Sequence, residues 1–158
     1  MSAADTRLDR LVAIEEIKAL KARYFRCIDH KDWDGFAGVF SSDCVLEVPE
    51  AALTLRGPTE IVASVSAALA NARSVHHGHM PEIEVTGPDT ARGVWAMEDY
   101  VEWPSADGDA RVGIRGYGHY VETYVRDDGA WRIASSRLDR LRVDSLGAIP
   151  SGDLTDRS

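Results

Sequence analysis

The sequence predicts an α+β fold, a cone-shaped α+β barrel in which three helices pack on a curved, mainly antiparallel sheet. Three observations predict it. Apolar residues recur at helical spacing over residues 7–30. Gly57-Pro58 opens a further helical segment. From residue 76 onward the chain reads as long strands divided by turn signals. A curved sheet wrapped around a long helix leaves a funnel, a natural place for a ligand pocket.

Each element has a local reason. In the first helix Leu8, Leu11, Ile14 and Ile17 form one stripe, carried on by Leu20, Tyr24, Cys27 and Ile28, with Asp5 or Thr6 as cap. Asp32 caps a short second helix, residues 33–40, whose apolar face is Trp33, Phe36, Ala37 and Phe40. Residues 44–49 form a strand. Pro58 sits in the first turn of the third helix, where a missing N–H is harmless, and Ile61, Val65, Ala68 and Leu69 face inward. Strands follow over residues 76–85, 90–103, 111–125 and 130–143. They are separated by Gly87-Pro88-Asp89, the polar loop 104–110 and the hairpin turn Asp127-Asp128-Gly129. Residues 7–143 are expected to form one domain, and residues 144–158 a polar tail.

Composition narrows the function. The 158 residues suit one domain with a real core. A net charge of −8, from 26 acids against 18 bases, argues against nucleic acid or an anionic membrane as partner. No apolar run approaches the roughly 18 residues of a membrane span, and the polar N-terminus is unlike a signal peptide, so a cytoplasmic location is expected. Cys27 and Cys44 lack CxxC spacing and read as buried thiols. Walker, Rossmann and serine-nucleophile patterns are absent. Gly116 and Gly118 lie in mid-strand with no helix following, which is no nucleotide loop.

The chemistry concentrates in VHHGHMPEIEV, residues 75–85, which holds three of the five histidines, His76, His77 and His79. Histidine is the usual proton carrier near neutral pH. His77-x-His79 puts two imidazoles on one strand face, as some zinc sites do, yet no third ligand has convincing spacing, so packing or interface hydrogen bonding is favoured and no metal is expected. Strict alternation puts His77, His79, Ile83 and Val85 on one face and His76, Met80 and Glu82 on the other. An inward His76 then needs a bulge near Gly78 or Pro81, or a second sheet face buried in a dimer.

Four stretches, IEEIKALKARYFRCID, DWDGFAGVFSSDCVLEV, VHHGHMPEIEV and GYGHYVETYVRDDGAWRI, resemble the SnoaL-like branch of the nuclear transport factor 2-like superfamily over residues 7–143. The chain looks most like the bile-acid 7α-dehydratase and hexachlorocyclohexane dehydrochlorinase group. The resemblance implies a pair between Asp29, near the end of the first helix, and His76. It implies further roles for Tyr24, Asp99 and, in the last strand, Arg137. The dehydrochlorinase type has a lysine where Tyr24 stands, which argues against chloride elimination.

Beside each functional reading stands a plainer one. His76 is otherwise a polar residue at a strand edge and Asp29 a solvated acid at a helix end. Tyr24 is otherwise a core tyrosine; its five-residue step to Asp29 spans about 140° of helix. Asp99 shares a face with Trp95, Met97 and Val101, so it is functional or paired. Arg137 binds substrate or neutralises an acid, and Arg140 replaces it if the last strand bulges. The expectation is a cofactor-free lyase of the dehydratase type acting on a small apolar, cyclic molecule. His76 is its base, Asp29 the orienter, Tyr24 an acid or oxyanion donor, and Asp99 and Arg137 set charge and orientation. Trp33, Met80, Met97 and Tyr120 are expected to line the apolar wall, and the family habit implies a homodimer. An isomerase or cyclase with the same base, or a non-catalytic ligand-binding module, is the alternative.

Overall fold

The computed structural model describes residues 3–106 and 110–150. Helices α1 (Ala3–His30) and α2 (Trp33–Ala37) are followed by strand β1 (Phe40–Val48), a 3-10 turn (Pro49–Ala51) and β2 (Leu53–Arg56). Next come α3 (Gly57–Ala68), β3 (Arg73–Gly87), β4 (Thr90–Pro104), β5 (Ala110–Asp127) and β6 (Ala130–Pro150). The helices pack on one open, curved sheet of order β2-β1-β6-β5-β4-β3. The pairings are antiparallel except β1 with β6, which is parallel. The expected meander is therefore correct from β3 onward. The β1–β2 hairpin was not foreseen, because β2 is only four residues long. No helix among the described residues is long and apolar enough to cross a membrane.

The local signals act as expected at the turns. Asp128 and Gly129 have φ of 46° and 77°, the left-handed pair that lets a two-residue hairpin match the strand twist. The Asp32 side chain accepts from the Gly35 N–H and caps α2. That helix stops at Ala37, short of the expected Phe40, because Phe40 already belongs to β1. Strand β6 continues to Pro150, past the expected end at Val143. Residues 151–158 of the expected tail, and 107–109 of the expected polar loop, lie outside the described residues.

The core joins helix to sheet. Ala13, Ile17, Leu20, Tyr24 and Ile28 of α1 meet Ala91, Tyr124, Trp131 and Ile133 of the sheet. Each of the isoleucine and leucine side chains contributes roughly 1.5–3 kcal/mol on burial. Leu8 and Leu11, expected on the buried stripe, are exposed instead. They precede Ile17 and Leu20 by nine residues, about 180° around the helix, and so face away from the sheet.

Three register shifts decide which side chains face inward. Between His79 and Glu82, β3 carries an extra residue relative to β4, and Met80 takes a φ of 28°. The bulge reverses alternation, so His76 and Ile83 both point inward. In β6 a second shift falls between Ile133 and Ser135, and a third between Arg140 and Arg142. Ile133 is buried before the second shift and Ser136 after it, so the inward set moves from odd to even positions, Ser136, Leu138 and Arg140.

Candidate active site

The site starts at the last turn of α1. Asp29 lies there beside the opening of β3, whose Ser74 and His76 both face inward. His76 Nδ1 is 2.7 Å from Asp29 Oδ1, and the His76 backbone N–H donates to Asp29 Oδ2 at 2.9 Å. Ser74 Oγ donates to Asp29 Oδ1 at 3.0 Å and itself accepts from Lys31 Nζ at 2.8 Å. The carboxylate thus fixes both the ring and the backbone that carries it. Partial burial raises the Asp29 carboxyl, but the hydrogen bonds from His76 and Ser74 outweigh it and hold the group below its ordinary 3.8. The folded-state value lies below the unfolded one. The pairing therefore stabilises the fold above about pH 4 and loses that contribution as pH falls through the folded value. Asp29→Asn is expected to flatten the acid limb of stability against pH, read as the urea midpoint between about pH 5 and 2.

His76 opens on a cavity of about 270 Å³. Its wall is largely apolar, from Ile28, Leu46, Val65, Val101 and Leu138, and its polar members include Tyr24, Ser64, His76, Asp99, Tyr120, Ser136 and Arg140. A larger groove of about 570 Å³ lies elsewhere, between the start of α1 and the β3–β4 turn. It contains neither histidine nor buried acid, so the smaller cavity is the chemically equipped one.

Asp99 is the direct cross-strand partner of His76 and is 1% exposed. Arg140 Nη2 donates to Asp99 Oδ2 at 2.5 Å, and Arg140 also pairs with Glu50 beside the 3-10 turn. Burial works against the Arg140 charge, and the two carboxylates more than restore it, so its pKa is raised. Asp99 Oδ1 has no hydrogen-bond partner among the described residues. Gly116 makes room for the pair: a Cβ there would sit 2.1 Å from Asp99 Oδ1 and 2.7 Å from Arg140 Nε. Gly116→Ala is expected to displace the pair and lower stability by about 1–3 kcal/mol, measured by urea unfolding.

Arg137, expected in this role, points outward, half exposed, and pairs with Asp139 at 2.8 Å. The shift between Ile133 and Ser135 carried it off the inward face and brought Arg140 in. Of the residues expected to line the wall, Tyr120 does so. Met97 is buried in a cluster with Trp95 and Tyr120, and Trp33 packs on Phe36 within α2. Met80 is 92% exposed because it occupies the bulge.

Tyr24 and Tyr120 stand together on the cavity wall, ring centroids 6.0 Å apart. Burial raises both phenols, followed by Glu122 for Tyr24 and by the Tyr24 phenol for Tyr120, so both stay protonated. Behind them lies a group that the sequence reading missed. Lys21 Nζ is 3.9 Å from the Tyr24 ring centroid and 3.7 Å from that of Tyr120, and it donates to Glu122 Oε1 at 2.6 Å. Both side chains are 0% exposed. Glu122 also accepts from Tyr124 at 2.6 Å and from Ser136 at 2.8 Å, and Tyr124 OH accepts from Trp95 Nε1 at 2.8 Å. The signal was present: Glu122 shares a strand face with Tyr120 and Tyr124, the same anomaly that singled out Asp99.

The architecture and cavity define a protein of the nuclear transport factor 2-like superfamily, an α+β cone with a polar cluster on its inner wall. The SnoaL-like domain model matches residues 9–137, and the chain belongs to that family. A protein of Gibberella zeae named "Probable cyclase FGR4" is 25% identical over 135 residues, covering 79% of this chain and 89% of its own. The structure of a single-residue variant of Rv3472, a Mycobacterium tuberculosis protein of unknown function, superposes with a TM-score of 0.72 at 31% identity, over 90% of this chain and 78% of that one. A type 2 hexachlorocyclohexane dehydrochlorinase, LinA, gives a TM-score of 0.79 at 19% identity, over 94% and 99%, and so shares the fold.

Proposed function

We propose that this protein is a lyase of the dehydratase type that takes a compact, largely apolar, cyclic substrate and needs no cofactor. The observation that carries the reading is the 2.7 Å contact between His76 Nδ1 and Asp29 at the edge of the cavity. With Nδ1 held as donor to the carboxylate, Nε2 keeps its lone pair for substrate. His76 Nε2 takes a proton from a carbon next to an activating carbonyl. The C–H electrons form the new double bond, the bond to the β-oxygen breaks, and the leaving hydroxyl departs as water after accepting from His76 the proton that ring has taken. Tyr24 and Tyr120 donate to the oxygen on which charge develops. Asp99, which lines the cavity and has one carboxylate oxygen without a partner among the described residues, accepts from a substrate hydroxyl, with Arg140 balancing its charge.

The test is proton exchange with solvent. The bicyclic ketone 2-tetralone, incubated in D2O with the protein, is expected to gain deuterium beside its carbonyl faster than in buffer, and His76→Ala is expected to abolish the excess. Equal exchange with wild type and His76→Ala would overturn the assignment. A cyclase or isomerase using the same first step is the second reading, favoured by the name of the Gibberella zeae relative.

A further inference from the structure

We propose a second site, outside the cavity: a divalent-metal site on the outer face of the sheet, formed by His77, His79 and Glu98 and suited to Zn²⁺. The alternation that turns His76 inward turns His77 and His79 outward, two residues apart on one strand face. Glu98 is the cross-strand partner of His77, so its carboxylate rises beside both rings. The ligand atoms of the three residues all lie within 4.8 Å of one another. Zinc holds imidazole nitrogen and carboxylate oxygen at about 2.0–2.2 Å, so bound ligand atoms stand up to roughly 4 Å apart. Both rings are exposed, and a small turn about their side-chain bonds closes the remaining gap.

The surroundings leave that turn open. His79 faces Ala96 across the strands, whose methyl group does not crowd the ring. The backbone bulge begins immediately after His79 and sets the end of the paired segment. The rival for Glu98 is Arg115, a loose contact of 3.7 Å between two part-exposed side chains. Such an exposed pair is worth at most about 1 kcal/mol, which a bound dication displaces. Two imidazoles and one carboxylate are a donor set that zinc accepts, with a fourth position left for water. His76 belongs to the opposite face, so this metal takes no part in the proposed proton transfer.

The test is calorimetric titration of metal-free full-length protein with ZnCl2, supported by the visible spectrum after Co²⁺ addition. Wild type and His76→Ala are expected to bind one zinc per chain. His77→Gln/His79→Gln is expected to weaken binding at least about 100-fold, and Glu98→Gln at least about tenfold, losses no smaller than those seen when groups merely supporting a ligand are removed. Circular dichroism of each variant confirms that the sheet is retained. Absence of zinc binding to folded wild type, or unchanged binding by the folded double variant, would overturn the site. Loss of binding in His76→Ala would overturn it as well, by placing the ligand in the cavity.

Discussion

Lys21→Met is expected to destabilise the protein by about 3–5 kcal/mol, because it strands the Glu122 carboxylate in the core. The ion pair is fully enclosed, and the remaining partners of Glu122 are the hydroxyls of Tyr124 and Ser136. Burial lowers the Lys21 pKa and Glu122 supports its charge, so the two groups depend on each other. Total stabilities of domains are about 5–15 kcal/mol, so this one change removes a large share. The double variant Lys21→Met/Glu122→Met removes both charges. It is expected to be more stable than the sum of the single variants predicts, since an apolar pair of similar volume often replaces a buried ion pair at little cost. Urea unfolding of the four proteins measures the coupling. A Lys21→Met variant within about 0.5 kcal/mol of wild type would contradict the description of the network.

His76→Ala is expected to reduce kcat/KM for the proton-transfer reaction by about 10²–10⁴-fold, the usual contribution of a positioned general base. Asp29→Asn is expected to reduce it as well while leaving the ring in place. An amide offers no negative charge to stabilise the imidazolium, and it can hold Nδ1 in the wrong tautomer. The two losses are expected to be non-additive, because the residues act as one unit. A fall in stability without a fall in rate would instead make the pair structural.

How much of this was legible in the sequence differs by element. The helix stripe of Ile17, Leu20 and Tyr24, the Asp32 cap and the Asp128-Gly129 turn are local signals, and each produced the element expected of it. The pairing of Asp29 with His76 spans 47 residues. No spacing rule reaches that far; family resemblance supplied it. The bulges mark where pattern reading fails. Each inserts one residue and reverses the inward set, so Arg140 rather than Arg137 reaches Asp99, and Met80 leaves the wall. Leu8 and Leu11 were misplaced because apolar spacing in a short window fits more than one face of a long helix. Lys21 is one of several charges on α1 and has no local signal of its own beyond its place on the buried stripe between Ile17 and Tyr24.

The proposed role of His76, a base facing a largely apolar cavity, can be tested without the natural substrate. The probe 5-nitrobenzisoxazole is a flat, apolar compound whose ring opens, with a colour change, once a base removes its carbon-bound proton. Purified wild type is expected to open it faster than buffer, with saturation, and His76→Ala is expected to lose nearly all of that excess rate while Arg137→Ala keeps it. Equal rates for wild type and folded His76→Ala would contradict the account.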